Sequence, residues 1–290
     1  MKIDNVLSLF AGMEGGLQAF KDLGMSFGNW YSSEVNPYSI KVIDDNHDEV
    51  NHLGDITKWK EWDLDWGSID LVIGGSPCQG FSFAGKGLAF DDPRSVLFFE
   101  YLNILNHIKS VNKGVKFMLE NVVMKGECEI EITKLLGVEP VRIQSNVVSP
   151  VDRDRLYWFN WSCDDFKGKS ICWGDIREWG VDERYYYSEK AFNWMSNHAK
   201  RKNKDLRLFT TKGKMQMLEA SMFKNYSSQR FFGILDHKGI RYITPTECAR
   251  CHGFPDNYTN SVSNTRAYEM YGNGWDLRVI KHIFKGLING

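Results

Sequence analysis

Gly74-Gly75-Ser76-Pro77-Cys78-Gln79-Gly80-Phe81-Ser82 follows closely on the apolar run Ile69-Asp70-Leu71-Val72-Ile73. The run is short, β-branched and closed by glycines, which predicts a buried strand emptying into a turn. Pro77 has no backbone donor and biases Ser76 towards an extended conformation, so the chain bends there and presents Cys78 at the strand's carboxyl end. In open α/β sheets that edge is where ligands bind. A free cysteine is more often a buried core residue. One set behind a proline, between Gly74-Gly75 and Gly80, is placed for chemistry.

The beginning of the chain reads as a second unit of the same kind. Val6-Leu7-Ser8-Leu9-Phe10 is an expected strand and Ala11-Gly12-Met13-Glu14-Gly15-Gly16 a glycine turn. Leu17 to Leu23 is a helix with Gly24 as its stop. Strand, glycine turn and helix open a nucleotide-binding α/β domain, where missing side chains let a ligand approach backbone N–H groups. The spacing is not G-x-G-x-x-G, so the dinucleotide fingerprint fails. The next strand, Asn29 to Val35, carries Glu34 18 residues beyond Gly16, where an acid holds a ribose hydroxyl pair. Asp55, in Leu53-Gly54-Asp55-Ile56, falls where a third strand ends and reaches towards an adenine amino group. In this order the acids favour an adenosine-type cofactor without a pyrophosphate.

These segments and those that follow resemble, in order, the DNA (cytosine-5) methyltransferases. The matching stretches are Phe10-Ala11-Gly12, Glu34, Gly54-Asp55-Ile56, Ser76-Pro77-Cys78-Gln79 and Asp92-Pro93-Arg94-Ser95-Val96-Leu97. They continue with Glu120-Asn121-Val122, Arg153-Asp154-Arg155, Thr244 to Pro255 and Gly272-Asn273-Gly274-Trp275. Ser33-Glu34-Val35, Val148-Ser149 ahead of Arg153, and Trp275 to Phe284 look closest to the de novo type. Nothing resembles that type's regulatory reader domains, so a compact bacterial or phage form is expected. The resemblance implies an α/β fold of the class I S-adenosylmethionine-dependent kind: a Rossmann-like, mixed seven-stranded sheet with a small target-recognition lobe. It implies S-adenosylmethionine as cofactor, held by Phe10, Gly12, Glu34, Val35, Asp55, Ile56, Leu97 and Trp275, and double-stranded DNA as partner. It also suggests a companion restriction endonuclease.

The chemistry explains the residue types. Carbon-5 of cytosine is unreactive towards an electrophilic methyl until a nucleophile adds at carbon-6, and Cys78 is the candidate. A thiol is only slightly ionised at neutral pH, so its site needs cations or donors, for which Arg153 and Arg155 are candidates. The resemblance places both arginines beside the base's carbonyl and gives Glu120 the ring nitrogen and amino group. Catalytic residues are therefore expected at Cys78, Glu120, Arg153 and Arg155. A cysteine cannot reach carbon-6 inside a stacked duplex, so the base must be flipped out. Gly80, Gly85 and Gly87 predict a loop able to close on the DNA.

Composition sets limits. A chain of 290 residues with 42% hydrophobic content can bury one large core and a smaller lobe. A basic-and-apolar leader and an apolar run near membrane length are not seen, so a cytoplasmic protein of a bacterial or phage-infected cell is expected. The net charge of −1 does not announce a nucleic-acid binder, but His198 to Lys214 holds seven Lys or Arg against one Asp. Cys248-Ala249-Arg250-Cys251-His252 fits a haem-attachment spacing. Thr244-Pro245-Thr246-Glu247 ahead of it is a capping box and Gly253 a stop, so a short structural helix is expected, and no metal.

Three regions are expected: a cofactor-binding and catalytic domain over 1–160, a target-recognition region over 161–240, and a motif helix and C-terminal segment over 241–290 returning to the first. Val151 stands where the family's arginine motif begins with glutamine, and Cys251-His252 replaces the commoner Leu-Gln. A tRNA-methylating branch shares the motifs, though its Cys-Phe-Thr segment is not visible. A non-catalytic DNA-binding relative is the third reading.

Overall fold

Short β-branched runs alternate with apolar-striped helices along the first half of the chain, and the fold follows that alternation. The computed structural model describes residues 3–77, 96–124, 126–203, 206–210, 212–227 and 232–289. They cluster into two units, the first being Met1–Gln144, Asp154–Phe166 and Val279–Gly290. It contains β1 (Asn5–Leu9), α1 (Gly15–Asp22), β2 (Asn29–Ser33), α2 (Pro37–Asn46), β3 (Val50–His52) and β4 (Leu71–Gly74). These are followed by α3 (Val96–Val111), β5 (Lys116–Val122), α4 (Gly126–Leu136), β6 (Pro140–Gln144) and β7 (Asp154–Phe159).

The seven strands form one sheet in the order β3-β2-β1-β4-β5-β7-β6. β1 lies parallel to β2 and β4, β2 to β3, and β4 to β5. β7 runs antiparallel to both neighbours, so the sheet is mixed, as expected. The parallel part is buried on both faces and therefore nearly uniformly apolar, with Val6, Leu7, Leu9, Leu71, Val72 and Ile73 all inaccessible. Burying each such side chain contributes about 1.5–3 kcal/mol. The chain order reverses beside β1, which brings the carboxyl ends of β1, β2 and β4 to one edge.

Antiparallel pairing carries β5 past Glu120 to Val122, because Asn121 and Val122 pair with Leu156 and Arg155. Asp55, expected at the end of the third strand, instead lies beyond β3 and caps the 3₁₀ segment Ile56–Glu61.

The second unit, Ser145–Arg153 and Lys167–Arg278, has its own small core. It holds α5 (Trp173–Ile176), α6 (Glu189–Arg201), β8 (Arg207–Phe209), β9 (Phe232–Asp236), β10 (Gly239–Arg241), α7 (Pro245–His252) and α8 (Asn264–Asn273). Its three strands pair in the order β10-β9-β8. The capping box forms as read: Glu247 N donates to Thr244 Oγ1 at 3.1 Å, and Thr244 N to Glu247 Oε2 at 3.0 Å. Gly253 closes α7 in the left-handed region at φ 79°. Of the segment 241–290, residues up to Arg278 cluster with this unit and those from Val279 with the first. The Arg241–Glu247 ion pair ties α7 to β10, which explains the grouping. The last helix, α9 (Leu277–Asn289), contributes to the first unit from Val279 onwards, burying Ile280, Ile283 and Phe284. Phe284 meets Phe20 of α1 edge-on at 5.1 Å.

The basic stretch divides on folding. Lys200, Arg201 and Lys202 are exposed, at and just beyond the end of α6. Lys214 is engaged within the unit, donating to Ser149 O at 2.9 Å and to Ile171 O at 2.5 Å. Among the described residues, no helix is long and apolar enough to cross a membrane. Also among them, no group of three or more His, Cys, Asp or Glu could hold a metal ion. Cys248 and Cys251 lie buried in α7, and burial pushes both thiols well above their usual range.

Candidate active site

The carboxyl edge of β1 and β2 is shaped by backbone first. Phe10 and Gly12 both take positive φ, 56° and 58°, so the turn after β1 folds back sharply. That conformation costs an ordinary residue about 1–2 kcal/mol, and a glycine almost nothing. A side chain at Gly12 would meet nothing within 4 Å, so the turn is an open cradle. Glu34, one residue past β2, turns its carboxylate into that cradle: Gly12 N donates to Oε2 at 2.8 Å. Val35 and Asn36 N donate to Oε1, each at 2.8 Å. Val35 beside it is an apolar side chain 65% exposed. Ser33 Oγ donates to Gly54 O at 2.8 Å, joining β2 to the Gly54-Asp55-Ile56 turn. There Asp55 accepts from Thr57 N and Oγ1, and these two donors hold its carboxyl below the usual range. Ile56 is buried beneath it, while Leu97, at the start of α3, is half-buried in the same unit.

These residues fit S-adenosylmethionine. An open glycine cradle suits the methionine part, an acid at the end of β2 suits vicinal hydroxyls, and an exposed apolar side chain next to it suits a flat purine.

The second half of the site lies at β4, β5 and β7. Gly74 ends β4 in a close approach: a Cβ there would sit 2.9 Å from Leu9 O and 3.1 Å from the Tyr101 ring. Gly74→Ala is therefore expected to lower the unfolding free energy by about 1–3 kcal/mol by pushing β4 from β1. Urea denaturation of both proteins measures it. Beyond Gly74, Ser76 is buried, and Asn121 Nδ2 donates to its Oγ at 3.1 Å and its carbonyl at 3.4 Å. The lead-in to Cys78 is thus tied to the strand that carries Glu120. Glu120 and Arg155 face each other across β5 and β7, with Nε 2.9 Å from Oε1 and both side chains about nine-tenths buried. Cys78 itself, the loop Gly80–Gly87 and Asp92-Pro93-Arg94-Ser95 lie outside the described residues.

The two arginines read from sequence as a pair part company. Arg155 stands in β7 beside Glu120, whereas Arg153 precedes the strand and belongs to the second unit. Arg153 donates to Gly272 O at 3.3 Å and Asn273 O at 3.2 Å, holding the end of α8 just ahead of Gly274-Trp275. Trp275 is half-buried in that unit. Two groups escaped the sequence reading. Asn121 had a signal, its position next to Glu120. Glu14 read as a turn residue, and only the fold shows its side chain fully buried.

The family model for C-5 cytosine-specific DNA methylase matches residues 5–125 and 163–289. The chain is 31% identical to Type II methyltransferase M1.ScrFI of Lactococcus lactis subsp. cremoris, over 92% of this chain and 74% of that protein. It is 30% identical to Type II methyltransferase M.NlaX of Neisseria lactamica, over 96% of this chain and 94% of that protein. Among solved structures, the Entamoeba histolytica methyltransferase EhMeth aligns with a TM-score of 0.78 at 18% identity, covering 100% of this chain and 99% of that one. Spodoptera frugiperda DNMT2 aligns with a TM-score of 0.71 at 21% identity, covering 98% and 99%. At those identities the structures speak for the fold alone. With the family model spanning most of the chain and relatives 30–31% identical over nearly all of it, the protein belongs to the C-5 cytosine-specific DNA methylase family and is a DNA (cytosine-5-)-methyltransferase.

Proposed function

We propose that this enzyme methylates a cytosine flipped out of duplex DNA, through a covalent bond from Cys78 to carbon-6 of the base. The observation that carries this reading is the Glu120–Arg155 pair next to the Asn121–Ser76 tether. It couples a buried carboxylate and a permanent cation to the lead-in of the nucleophile.

Phe10, Gly12, Glu34, Val35, Asp55, Ile56 and Leu97 hold S-adenosylmethionine in this proposal. When bound, that cofactor supplies an electrophilic methyl group on a sulfonium. Cys78 adds its sulfur to carbon-6. Glu120 holds the proton that the ring nitrogen takes up, and carbon-5 becomes an enamine carbon. After carbon-5 accepts the methyl, a base removes its proton, the carbon-6–sulfur bond breaks, the ring nitrogen's proton returns to Glu120 and Cys78 leaves as thiolate. Arg155 orients Glu120 with a planar fork and adds positive charge near the developing negative charge. Arg153 is assigned to holding the segment ahead of Trp275 rather than to the base. The exposed Lys200, Arg201 and Lys202 are proposed phosphate contacts, and 167–240 the region that reads the target. The Type II names of the relatives support a companion restriction endonuclease and a bacterial or phage-infected cytoplasm as the setting.

The test uses mixed-sequence duplex DNA carrying 5-fluorocytosine, beside a tRNA with the same analogue. Fluorine cannot be eliminated, so the enzyme stays bonded after methyl transfer and survives denaturing electrophoresis. A DNA band lost in Cys78→Ser is the expected result. A band with tRNA alone would move the substrate to RNA, and no band with cofactor bound would remove the covalent mechanism.

A further inference from the structure

Glu14 is the polar group of the cofactor edge that the proposed chemistry leaves unused. It stands at the N-terminus of α1 with left-handed backbone, φ 55° and ψ 48°, yet its side chain does not cap the helix. The side chain turns inward instead, over β1 and β2, and is fully buried. Ser8 Oγ donates to Oε2 at 3.1 Å. Ser8 and Ser32 are register partners on β1 and β2, and Trp30 precedes Ser32 by two residues on the same face. Ser32 and Trp30 direct donors towards the carboxyl and favour its ionised form. Even so, Oε1, Ser32 Oγ and Trp30 Nε1 do not close into hydrogen bonds of regular geometry. The carboxyl is thus incompletely satisfied and sealed from water, two residues from the open cradle at Gly12. Burial raises it to about 7, and the Glu34 carboxylate adds in the same direction.

S-adenosylmethionine and the by-product S-adenosylhomocysteine differ at one atom in charge: a sulfonium against a neutral thioether. Their amine, carboxylate, ribose and adenine are common to both. A charge removed from water acts on a neighbouring charge far more strongly than a solvated one. We propose that Glu14 is a specificity-determining residue, whose ionised carboxylate makes the cradle favour the cationic cofactor over its neutral by-product. The proposal rests on reading this edge as the S-adenosylmethionine site. Binding of the cation draws the acid's O–H proton to solvent, so one O–H bond breaks and nothing is oxidised or reduced.

The surroundings leave few competing titrations. From β1 the facing group is Ser8, from β2 Ser32 and Trp30, and from the end of β2 Glu34. The helices supply apolar groups, Phe20 of α1 against Trp30 and Phe284 of α9 against Phe20. Lys21 of α1 is engaged with Glu49 and His47, and burial pushes His47 down to about 4, below the relevant window.

Calorimetric binding of both ligands to the full chain, from pH 6 to 8, tests this without any turnover. In the wild type, the ratio of the S-adenosylhomocysteine Kd to the S-adenosylmethionine Kd is expected to rise about 5- to 10-fold across that range. Glu14→Gln keeps the shape and removes the charge, so its ratio is expected to be flat. Ser32→Ala removes a donor to the ionised form and is expected to move the rise to higher pH. A flat wild-type ratio, or an unchanged rise in Glu14→Gln, overturns the proposal. Should Glu14→Gln not fold, the displacement in Ser32→Ala decides: an unmoved rise overturns it. A wild type that binds neither ligand overturns the cofactor reading itself, whereas binding of both at a pH-independent ratio overturns only the role of Glu14.

Discussion

Glu120→Gln is expected to lower kcat by about 10²–10⁴-fold, the range lost when a positioned proton-transfer group is removed. The amide keeps the length and planarity of the side chain but cannot hold a proton for the ring nitrogen. Cofactor affinity is expected to stay unchanged, because Glu34 is held by Gly12, Val35 and Asn36 at the β1–β2 edge, whereas Glu120 pairs with Arg155 across β5 and β7. The substitution also leaves Arg155, 11% exposed at its side chain, facing a neutral partner in place of an anion at 2.9 Å. Part of the loss will therefore come from misplacement of Arg155. Arg155→Lys separates the two contributions: it keeps the positive charge and loses the planar fork. If orientation matters, Arg155→Lys falls well below wild type while Glu120→Gln falls further. Single-turnover methyl transfer with saturating cofactor measures both, and an unchanged rate in Glu120→Gln would remove Glu120 from the chemistry.

Local order was legible wherever a residue type leaves the backbone few choices. Thr244-Pro245-x-Glu247 can cap a helix in one way, and it does. The glycine turn after β1 and the apolar strands were likewise readable, since buried parallel strands must be apolar on both faces. Motif order then implied the seven-stranded mixed sheet that the chain forms. What escaped depends on pairing across long separations. The antiparallel register that carries Glu120 inside β5 is set by residues 35 positions on, which no local period reports. Arg153 and Arg155 share a strand-like spacing, and sequence put them together. The carbonyls of Gly272 and Asn273 take one, and Glu120 takes the other. Lys214 read as part of a basic patch because nothing local says that two carbonyls await it.

Glu14 and Lys214 illustrate one physical point from opposite sides. A charged side chain in a turn reads as solvated because most are. Lys214 leaves solvent for two backbone acceptors. Glu14 leaves it for a set of donors that only partly close, which is the arrangement expected where protonation state matters.

Arg241→Met is expected to be the most destabilising of these substitutions. Arg241 is fully buried, its Nε 2.7 Å from Asp236 and its two terminal nitrogens 2.6 and 2.8 Å from the carboxylate of Glu247, itself fully buried. Glu247 Oε1 also accepts from Glu178 N at 2.9 Å and Oε2 from Thr244 N at 3.0 Å, so the same acid closes the α7 capping box. Removing the cation leaves the fully buried Glu247 carboxylate without its counter-charge and Asp236 with His237 alone, which costs about 3–5 kcal/mol. For a unit of this size that corresponds to a Tm lower by roughly 6–20 °C. Restoring neutrality should recover much of it, since a buried ion pair replaced as a whole is often nearly neutral. Arg241→Met with Glu247→Gln is therefore expected to be more stable than Arg241→Met alone, and the opposite order would attribute the loss to packing. The pH dependence has a definite sign. Burial would raise the Asp236 carboxyl, but hydrogen bonds from Arg241 and His237 hold it well below its ordinary range. A depressed carboxyl contributes stability that is fully present above its unfolded value near pH 4 and is lost as pH falls further. The gap between wild type and Arg241→Met should thus be widest at neutral pH and narrow below about pH 4, because only the wild type loses this contribution on acidification. Urea unfolding followed by tryptophan fluorescence at pH 7 and again below pH 4 measures it, and a gap that widened on acidification would contradict the ion pair as its source.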